Sequence, residues 1–299
     1  VGLQLPKRAR QLALGIMLGF GLLMLGACSA ESKAQAQRWA MPANSPGTEQ
    51  GEYIAELWKW AWVALLITGA IVWGLMFYVS WRYRRRSEDE IPVQTRYNLP
   101  LEIFYTIFPI MMVIVFFFHT VDVQNKVLDE KDDPDYVVQV VGQQWSWTFN
   151  YTEDANDVDG AVAYTVGTAS QIPTLVLPVD RTIEFKLSSP DVIHSFWIPG
   201  FLMKMDVIPG QSGEDRNSFQ VHTTEEGDYM GKCAELCGVY HSRMLFNVEV
   251  VSQAEYDDYI AGLKADGYES DTPLLGGADA RTQAGLAEAT AEHDNGGDE

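Results

Sequence analysis

Charged side chains are missing from two long stretches of this 299-residue chain, and those gaps set its organisation. From Trp60 to Trp81 none occurs, and a helix of that length spans about 30 Å, the thickness of bilayer hydrocarbon. Trp58, Trp60 and Trp62 at one end, with Trp81 and Tyr83 at the other, fall where interfacial aromatic belts lie. A second uncharged run covers Ile103 to Val121. Its Pro109 would break a helix in water, but neighbouring helices in a bilayer can satisfy the freed carbonyl. The pattern predicts a transmembrane helical hairpin over 52–122. Its loop, 82–99, opens with Arg82, Arg84, Arg85 and Arg86, which assigns it to the cytoplasm and everything after Asp122 to the opposite side.

Past Tyr136 the period shortens. Y-V-V-Q-V-V-G-Q-Q-W-S-W-T-F-N-Y, T-L-V-L-P-V-D, T-I-E-F-K-L-S, S-F-Q-V-H-T and R-M-L-F-N-V-E-V-V read as short strands, separated by P-G, S-G and E-G turn signals. A membrane-anchored all-β chain follows, with a small sandwich or barrel over 123–255. Residues 256–299 begin as a short amphipathic helix around Tyr256 to Leu263. They continue as an Ala/Gly/Asp/Glu-rich tail expected to be disordered after about Tyr268, because its apolar content is too low to fold.

At the other end, Lys7, Arg8 and Arg10 precede an apolar run from Leu12 to Ala27 that closes in L-G-A-C at Cys28. This resembles a bacterial lipoprotein signal, which implies a signal peptide over 1–27 and lipid modification of Cys28; the alternative is an uncleaved membrane helix. A polar extracytoplasmic linker, 28–51, then leads to the first span.

Charge sharpens this division. From Asp122 onward there are 33 acidic and 10 basic residues, against 11 basic and 8 acidic before it, for −20 overall. Such an acidic outer region argues against nucleic acid and for a basic partner, although it also serves solubility.

The three cysteines form no disulfide framework. Two of them lie in C-A-E-L-C-G-V-Y-H-S-R-M, where Cys233, Cys237, His241 and Met244 put four soft-metal donors in one short loop. A Cys-x3-Cys pair alone is more often a disulfide, half a zinc site or two buried thiols than a copper site. The imidazole and thioether at this spacing favour copper and electron transfer. D-V-I-H-S-F-W-I-P supplies a second imidazole, His194. Two thiolates can bridge two copper ions, each of which then takes one histidine.

These two stretches resemble the binuclear copper (CuA) domain of cytochrome c oxidase subunit II, and the likeness runs from about Glu52 to Tyr259. It implies a cupredoxin-like Greek-key β-sandwich behind the hairpin. It also implies that Cys233 and Cys237 bridge two coppers, that His194 and His241 bind one each, and that Met244 and the backbone carbonyl of Glu235 are weak outer ligands. The Glu235 carboxylate would help hold magnesium or manganese at the boundary with subunit I, which carries the haems. Lys204 and Asp206 would face that subunit. Trp145 would receive electrons, and Glu102 would stand at the entrance of a proton-uptake channel, although a carboxylate at a helix N-terminus is also favoured by the dipole alone. The family usually has W-Y-W where this chain has Trp145, Ser146 and Trp147, so the surface beside Trp145 is expected to differ. His119 and His222 match no motif.

The function implied is that of subunit II of a haem-copper oxidase in a bacterial cell membrane. It would take electrons from cytochrome c, or from a cytochrome c domain of a partner complex. It would pass them to subunit I for reduction of oxygen to water, coupled to proton translocation. The alternative is a membrane-tethered copper carrier or oxidase assembly factor, which has no need of Trp145, Glu235 or Glu102. A quinol oxidase subunit would lack the copper ligands, and a nitrous-oxide reductase is not built on two spans.

Overall fold

The computed structural model describes residues 30–87, 90–91, 93–152, 157, 159–168, 170–211 and 217–276. Cys28 and the signal-like segment lie outside the described residues, as do residues 277–299.

The chain up to Ala43 forms a unit of its own. Its described part contains helix α1 (Ala30–Gln37), and Arg38 pairs back to Glu31 at 3.3 Å. The linker expected over 28–51 is therefore helical for part of its length. Its Ala, Glu, Lys and Gln residues are strong helix formers even without an apolar face.

In the second unit, helix α2 (Glu49–Arg82) starts where the extended Thr48 accepts the Gly51 N–H at 3.1 Å, with Glu49 and Glu52 favourably placed in the first turn. Helix α3 (Leu99–Val127) is capped by Asn98, which accepts the Leu101 N–H at 3.4 Å, and Glu102 returns a bond to the Asn98 N–H at 2.9 Å. It continues through Pro109. Both helices are long and apolar enough to cross a membrane. With 34 and 29 residues they measure about 51 and about 44 Å, well over the bilayer's hydrocarbon. They overrun the limits 52–122 because their outer ends join the β-domain: Gly51 and Ala55 are buried, and Val127 belongs to the core. Thr48 bridges to Thr223, and the Gly47 N–H donates to Gly200 O at 3.1 Å, so α2 springs directly from the sandwich.

The strands in chain order are β1 (Tyr136–Gln143), β2 (Ser146–Thr152), β3 (Val162–Val166), β4 (Thr174–Pro178), β5 (Thr182–Ser188), β6 (His194–Ile198), β7 (Met203–Val207), β8 (Ser218–His222), β9 (Gly227–Cys233), β10 (Leu245–Val251) and β11 (Glu269–Ser270). One sheet has the order β11-β3-β2-β1-β5-β8 and the other β4-β10-β9-β6-β7. β1 runs parallel to β5, and β4 to β10, so the chain crosses between sheets rather than folding as successive hairpins. This is the cupredoxin-like Greek-key sandwich.

Aromatic side chains fill the space between the sheets. Phe196 and Phe246 stack with centroids 4.9 Å apart, and Trp147 meets both edge-on at 5.6 and 5.5 Å. All three are fully buried. On β2 the residues Trp147, Phe149 and Tyr151 enter this core at the two-residue period of a strand.

β1 is buried on both faces. Val138 and Val140 join the core, whereas Val137 and Val141 are buried outside it. The C-terminal segment accounts for this. Helix α4 (Gln253–Ala265) begins with a capping box between Ser252 and Glu255 and lays Tyr256 against Tyr136, ring centroids 5.1 Å apart. The chain then pairs β11 with β3, exchanges hydrogen bonds between Leu274 and the Asn150 side chain, and brings Gly276 beside Val141. Order therefore extends past Tyr268, where the composition predicts disorder, because backbone pairing and a ready apolar surface substitute for apolar side chains in the segment itself.

Two glycines separate packing from propensity. A methyl group on Gly231 would overlap the Phe246 ring, whereas one on Gly262 in α4 would meet nothing within 4 Å. Gly231→Ala is expected to destabilise by about 1–3 kcal/mol through overpacking. Gly262→Ala is expected to stabilise by up to about 1 kcal/mol. Denaturant unfolding of the two variants, followed by tryptophan fluorescence, reads the opposite signs.

Candidate metal centre

Adjacent strands bring the two halves of the site together. His194 opens β6, Cys233 closes β9, and the strands pair with Phe196 opposite Cys233. Beyond Cys233 the loop returns through a 3-10 turn, His241–Arg243, to Met244. Backbone bonds fix its outline: Cys233 N–H to Met244 O at 2.9 Å, Ala234 N–H to Ser195 O at 3.0 Å and Met244 N–H to His241 O at 3.2 Å. Trp147 Nε1 also donates to Met244 O, at 3.3 Å.

Six donor atoms converge in two matching sets. The Cys233 and Cys237 sulfurs stand 3.8 Å apart as free thiols. Cys233 Sγ has His194 Nδ1 at 3.8 Å and the Glu235 carbonyl oxygen at 3.2 Å. Cys237 Sγ has His241 Nδ1 at 3.6 Å and Met244 Sδ at 3.8 Å. Each sulfur thus has one imidazole and one weak donor. His194 and Met244 are fully buried and the two cysteines nearly so. Two sulfurs, two nitrogens, a thioether and a carbonyl, shielded from water, suit copper.

The pairing of the thiols divides their acidity. Cys237 pulls Cys233 down to about 3 against the opposing effect of burial, and His194 assists. The same contact pushes Cys237 up.

Residues that sequence patterns do not mark hold this geometry. Asp191 Oδ1 lies 2.9 Å from His194 Nε2, so that nitrogen carries the proton and Nδ1 is left free to face the sulfurs. The same carboxylate accepts the backbone N–H groups of Gln144 at 2.7 Å and Val192 at 2.6 Å. Burial would raise Asp191, but His194 and these amides outweigh it and the net shift is downward. Burial would likewise lower His194, but Asp191 and Cys233 outweigh it and the net shift is upward. Gln144 Nε2 donates to Cys237 O at 2.7 Å. Gly238, at φ +123°, fits where a side chain would come within 3.1 Å of the Trp145 ring and strain the backbone. The one sequence signal for Asp191 is its position three residues before the histidine in D-V-I-H.

Trp145 is half-buried at the rim, its Nε1 donating to Cys237 O at 3.2 Å and its ring meeting Tyr240 edge-on at 5.0 Å. Ser146 is buried, only 1% exposed, with its hydroxyl beside Gly167, so it forms no part of the surface next to Trp145. Strand alternation is the reason: Trp147 faces the core and Ser146 the other side of the sheet. Tyr240, from the ligand loop, covers that flank of Trp145.

The Glu235 side chain is exposed on the loop, and Lys204 and Asp206 are exposed on β7. Glu102 is not brought to this site; it lies at the start of α3, bonded to Asn98. His119 is exposed on α3. His222 sits between Thr182 Oγ1 at 3.2 Å and Asp180 Oδ1 at 3.3 Å.

Residues 136–251 match the family described as cytochrome c oxidase subunit II, periplasmic domain. The chain is 41% identical to "Probable cytochrome c oxidase subunit 2" of Streptomyces avermitilis, over 90% of this chain and 92% of that one. It is 39% identical to the protein so named in Streptomyces coelicolor, with the same coverage. It is also 34% identical to cytochrome c oxidase subunit 2 of Corynebacterium diphtheriae, over 95% of this chain and 92% of that one.

Removing the support of His194 tests the geometry. Asp191→Ala is expected to weaken copper retention about 10–100-fold, the usual cost of losing an outer partner of a ligating histidine. Competition with a chelator measures it, and retention equal to the parent would show that His194 needs no such support.

Proposed function

The chain belongs to the cytochrome c oxidase subunit II family, and on that footing we propose that it is the electron-receiving subunit of a haem-copper oxidase. In this reading it takes electrons from a c-type cytochrome into a binuclear copper centre and passes them to subunit I, where the haems reduce oxygen to water. The observation that carries the reading is the paired donor set, one imidazole and one weak donor beside each of two sulfurs 3.8 Å apart.

A copper pair at such a site supplies reversible one-electron chemistry. Cys233, Cys237, His194 and His241 would hold the metals, with Met244 Sδ and the Glu235 carbonyl as the weak donors beside them. The chain's task is to hold this shell still. Cys233 and Met244 are tied to each other at the base of the loop, and Asp191 keeps His194 in one tautomer. The buried aromatic core beneath keeps water from the sulfurs. Trp145 receives the electron at the rim, and its bond to the Cys237 carbonyl links that surface directly to a ligand residue.

The remaining roles rest on the family likeness and on position. Helices α2 and α3 span a bacterial cell membrane, and Arg84, Arg85 and Arg86 hold their connecting loop in the cytoplasm, so the copper domain stands outside. Cys28 carries the lipid of a processed lipoprotein. The Glu235 carboxylate, exposed and pointing off the loop, offers a hard oxygen to magnesium or manganese shared with subunit I. Glu102, at the cytoplasmic start of α3, collects protons for subunit I during proton translocation.

Copper analysis and paramagnetic resonance test the centre. The purified chain is expected to hold two coppers sharing one unpaired electron, and Cys233→Ser to leave at most one with a localised electron. A two-copper spectrum that survives Cys233→Ser would end the bridging assignment.

Glu102 is tested separately. In the assembled oxidase Glu102→Gln is expected to slow steady turnover several-fold while stopped-flow reduction of copper stays fast. Should copper reduction fail instead, Glu102 serves the fold and not proton uptake.

A further inference from the structure

The two cysteines of the site are held in different ways. Cys233 ends β9, where Phe196 of β6 stands opposite it, and donates its N–H to Met244 O at 2.9 Å, so the sheet itself fixes its backbone. Cys237 lies in no strand or helix. Leu236 and Val239, on either side of it, are 78% and 83% exposed, so packing does little to hold the middle of the loop.

The turn between β1 and β2 supplies the missing support. Gln144 Nε2 donates to Cys237 O at 2.7 Å and Trp145 Nε1 donates to the same oxygen at 3.2 Å, which a carbonyl with two lone pairs can accept. The loop lies directly on this turn: a side chain on Gly238 would begin 3.2 Å from Gln144 Nε2 and 3.1 Å from the Trp145 ring. The turn is fixed in its own right. Gln143 and Ser146 pair across it, and the Gln144 N–H donates at 2.7 Å to Asp191 Oδ2, on the carboxylate whose other oxygen holds His194. Gln144 is therefore joined to both halves of the site, through its backbone to the support of His194 and through its side chain to the peptide of the second cysteine.

The residue type fits this place. Asp191 holds the Gln144 backbone back, so the side chain has to span the gap to Cys237. Asparagine would fall one carbon short, and an ionised glutamate would offer the carbonyl another acceptor where a donor is needed. Of the two bonds to that oxygen, the one from Gln144 is the shorter.

Resting on the copper reading above, we propose that Gln144 is a positioning residue for the metal centre: its side-chain amide holds the Cys237 peptide, and with it the second sulfur, where a two-metal shell requires it. Gln144 itself touches no donor atom of the shell. It acts through the backbone of Cys237, and the middle of the loop is thereby fastened to the turn that carries Trp145.

The test uses the purified whole chain and two variants of equal reach, Gln144→Met without a donor and Gln144→Lys with one. Both keep the backbone N–H that binds Asp191. Three quantities are read: the rate at which a chelator removes copper, the copper hyperfine pattern of the paramagnetic resonance spectrum, and amide hydrogen exchange of residues 236–240 in the metal-free chain. Gln144→Met is expected to lose copper about tenfold faster, the lower end of the usual cost of removing an outer-shell partner. It should also show an altered hyperfine pattern and faster exchange in the loop, with exchange in β9 and β10 unchanged. Gln144→Lys is expected to return all three towards the parent. A Gln144→Met chain equal to the parent in all three would overturn the positioning role and leave the copper reading intact. Changes in Gln144→Met that Gln144→Lys does not reverse would also overturn it, since the donor would then not be what matters. If the parent chain itself takes up no copper pair, the copper reading falls and the role of Gln144 with it.

Discussion

One carbonyl oxygen closes the centre. Met244 O accepts both the Cys233 N–H and Trp147 Nε1, which ties the first and last ligands of the loop to each other and to the largest core side chain. Inside that closure twelve residues must place four side-chain donors and one carbonyl. Very few backbone paths do so once both ends are fixed. The loop is thus stiff because of where its ends are held, and regular secondary structure within it is confined to one short 3-10 turn. A metal held there would meet the same shell in either oxidation state, with nothing around it having to rearrange.

From that closure the rest of the domain follows outward. Trp147 also rests on the Phe196–Phe246 stack, so the core that stabilises the sandwich is the same one that positions the loop. Asp191 does for the rim what Met244 O does for the base. By accepting from His194, Gln144 and Val192 it joins the loop before β6 to the turn before β2, and Trp145 sits in that turn. The donor cluster and the surface around Trp145 are therefore parts of one hydrogen-bonded frame.

The convergence of these side chains was legible because Cys233, Cys237, His241 and Met244 fall within twelve residues and His194 in a recognisable partner segment. The two long apolar helices were legible because uncharged runs of that length have few other uses. What the sequence concealed has physical reasons. Asp191 and Gln144 act through single hydrogen bonds whose partners come from distant positions, and neither residue type announces that. The path of residues 268–276 depends on what it covers. The stretch V-V-Q-V-V-G of β1 is apolar in both phases of a two-residue repeat, a sign of two buried faces, but not of which segment would bury the second. Ser146 reads as surface until the strand alternation is known, and then it is buried.

The overlong helices set a standing height. Helix α2 leaves the sandwich without a joint: Thr48 is at once its cap and a bridge to Thr223, and Gly51 lies so close to the Phe201 carbonyl that a side chain would start 2.9 Å from it. A rigid helix works as a ruler and as a screw. Adding a single residue between Leu57 and Trp60 would raise the domain by about 1.5 Å and turn it by about 100° about the helix axis. The direction in which the sulfurs face is thus encoded in the number of residues between the uncharged run of α2 and its first turn, far from the site itself.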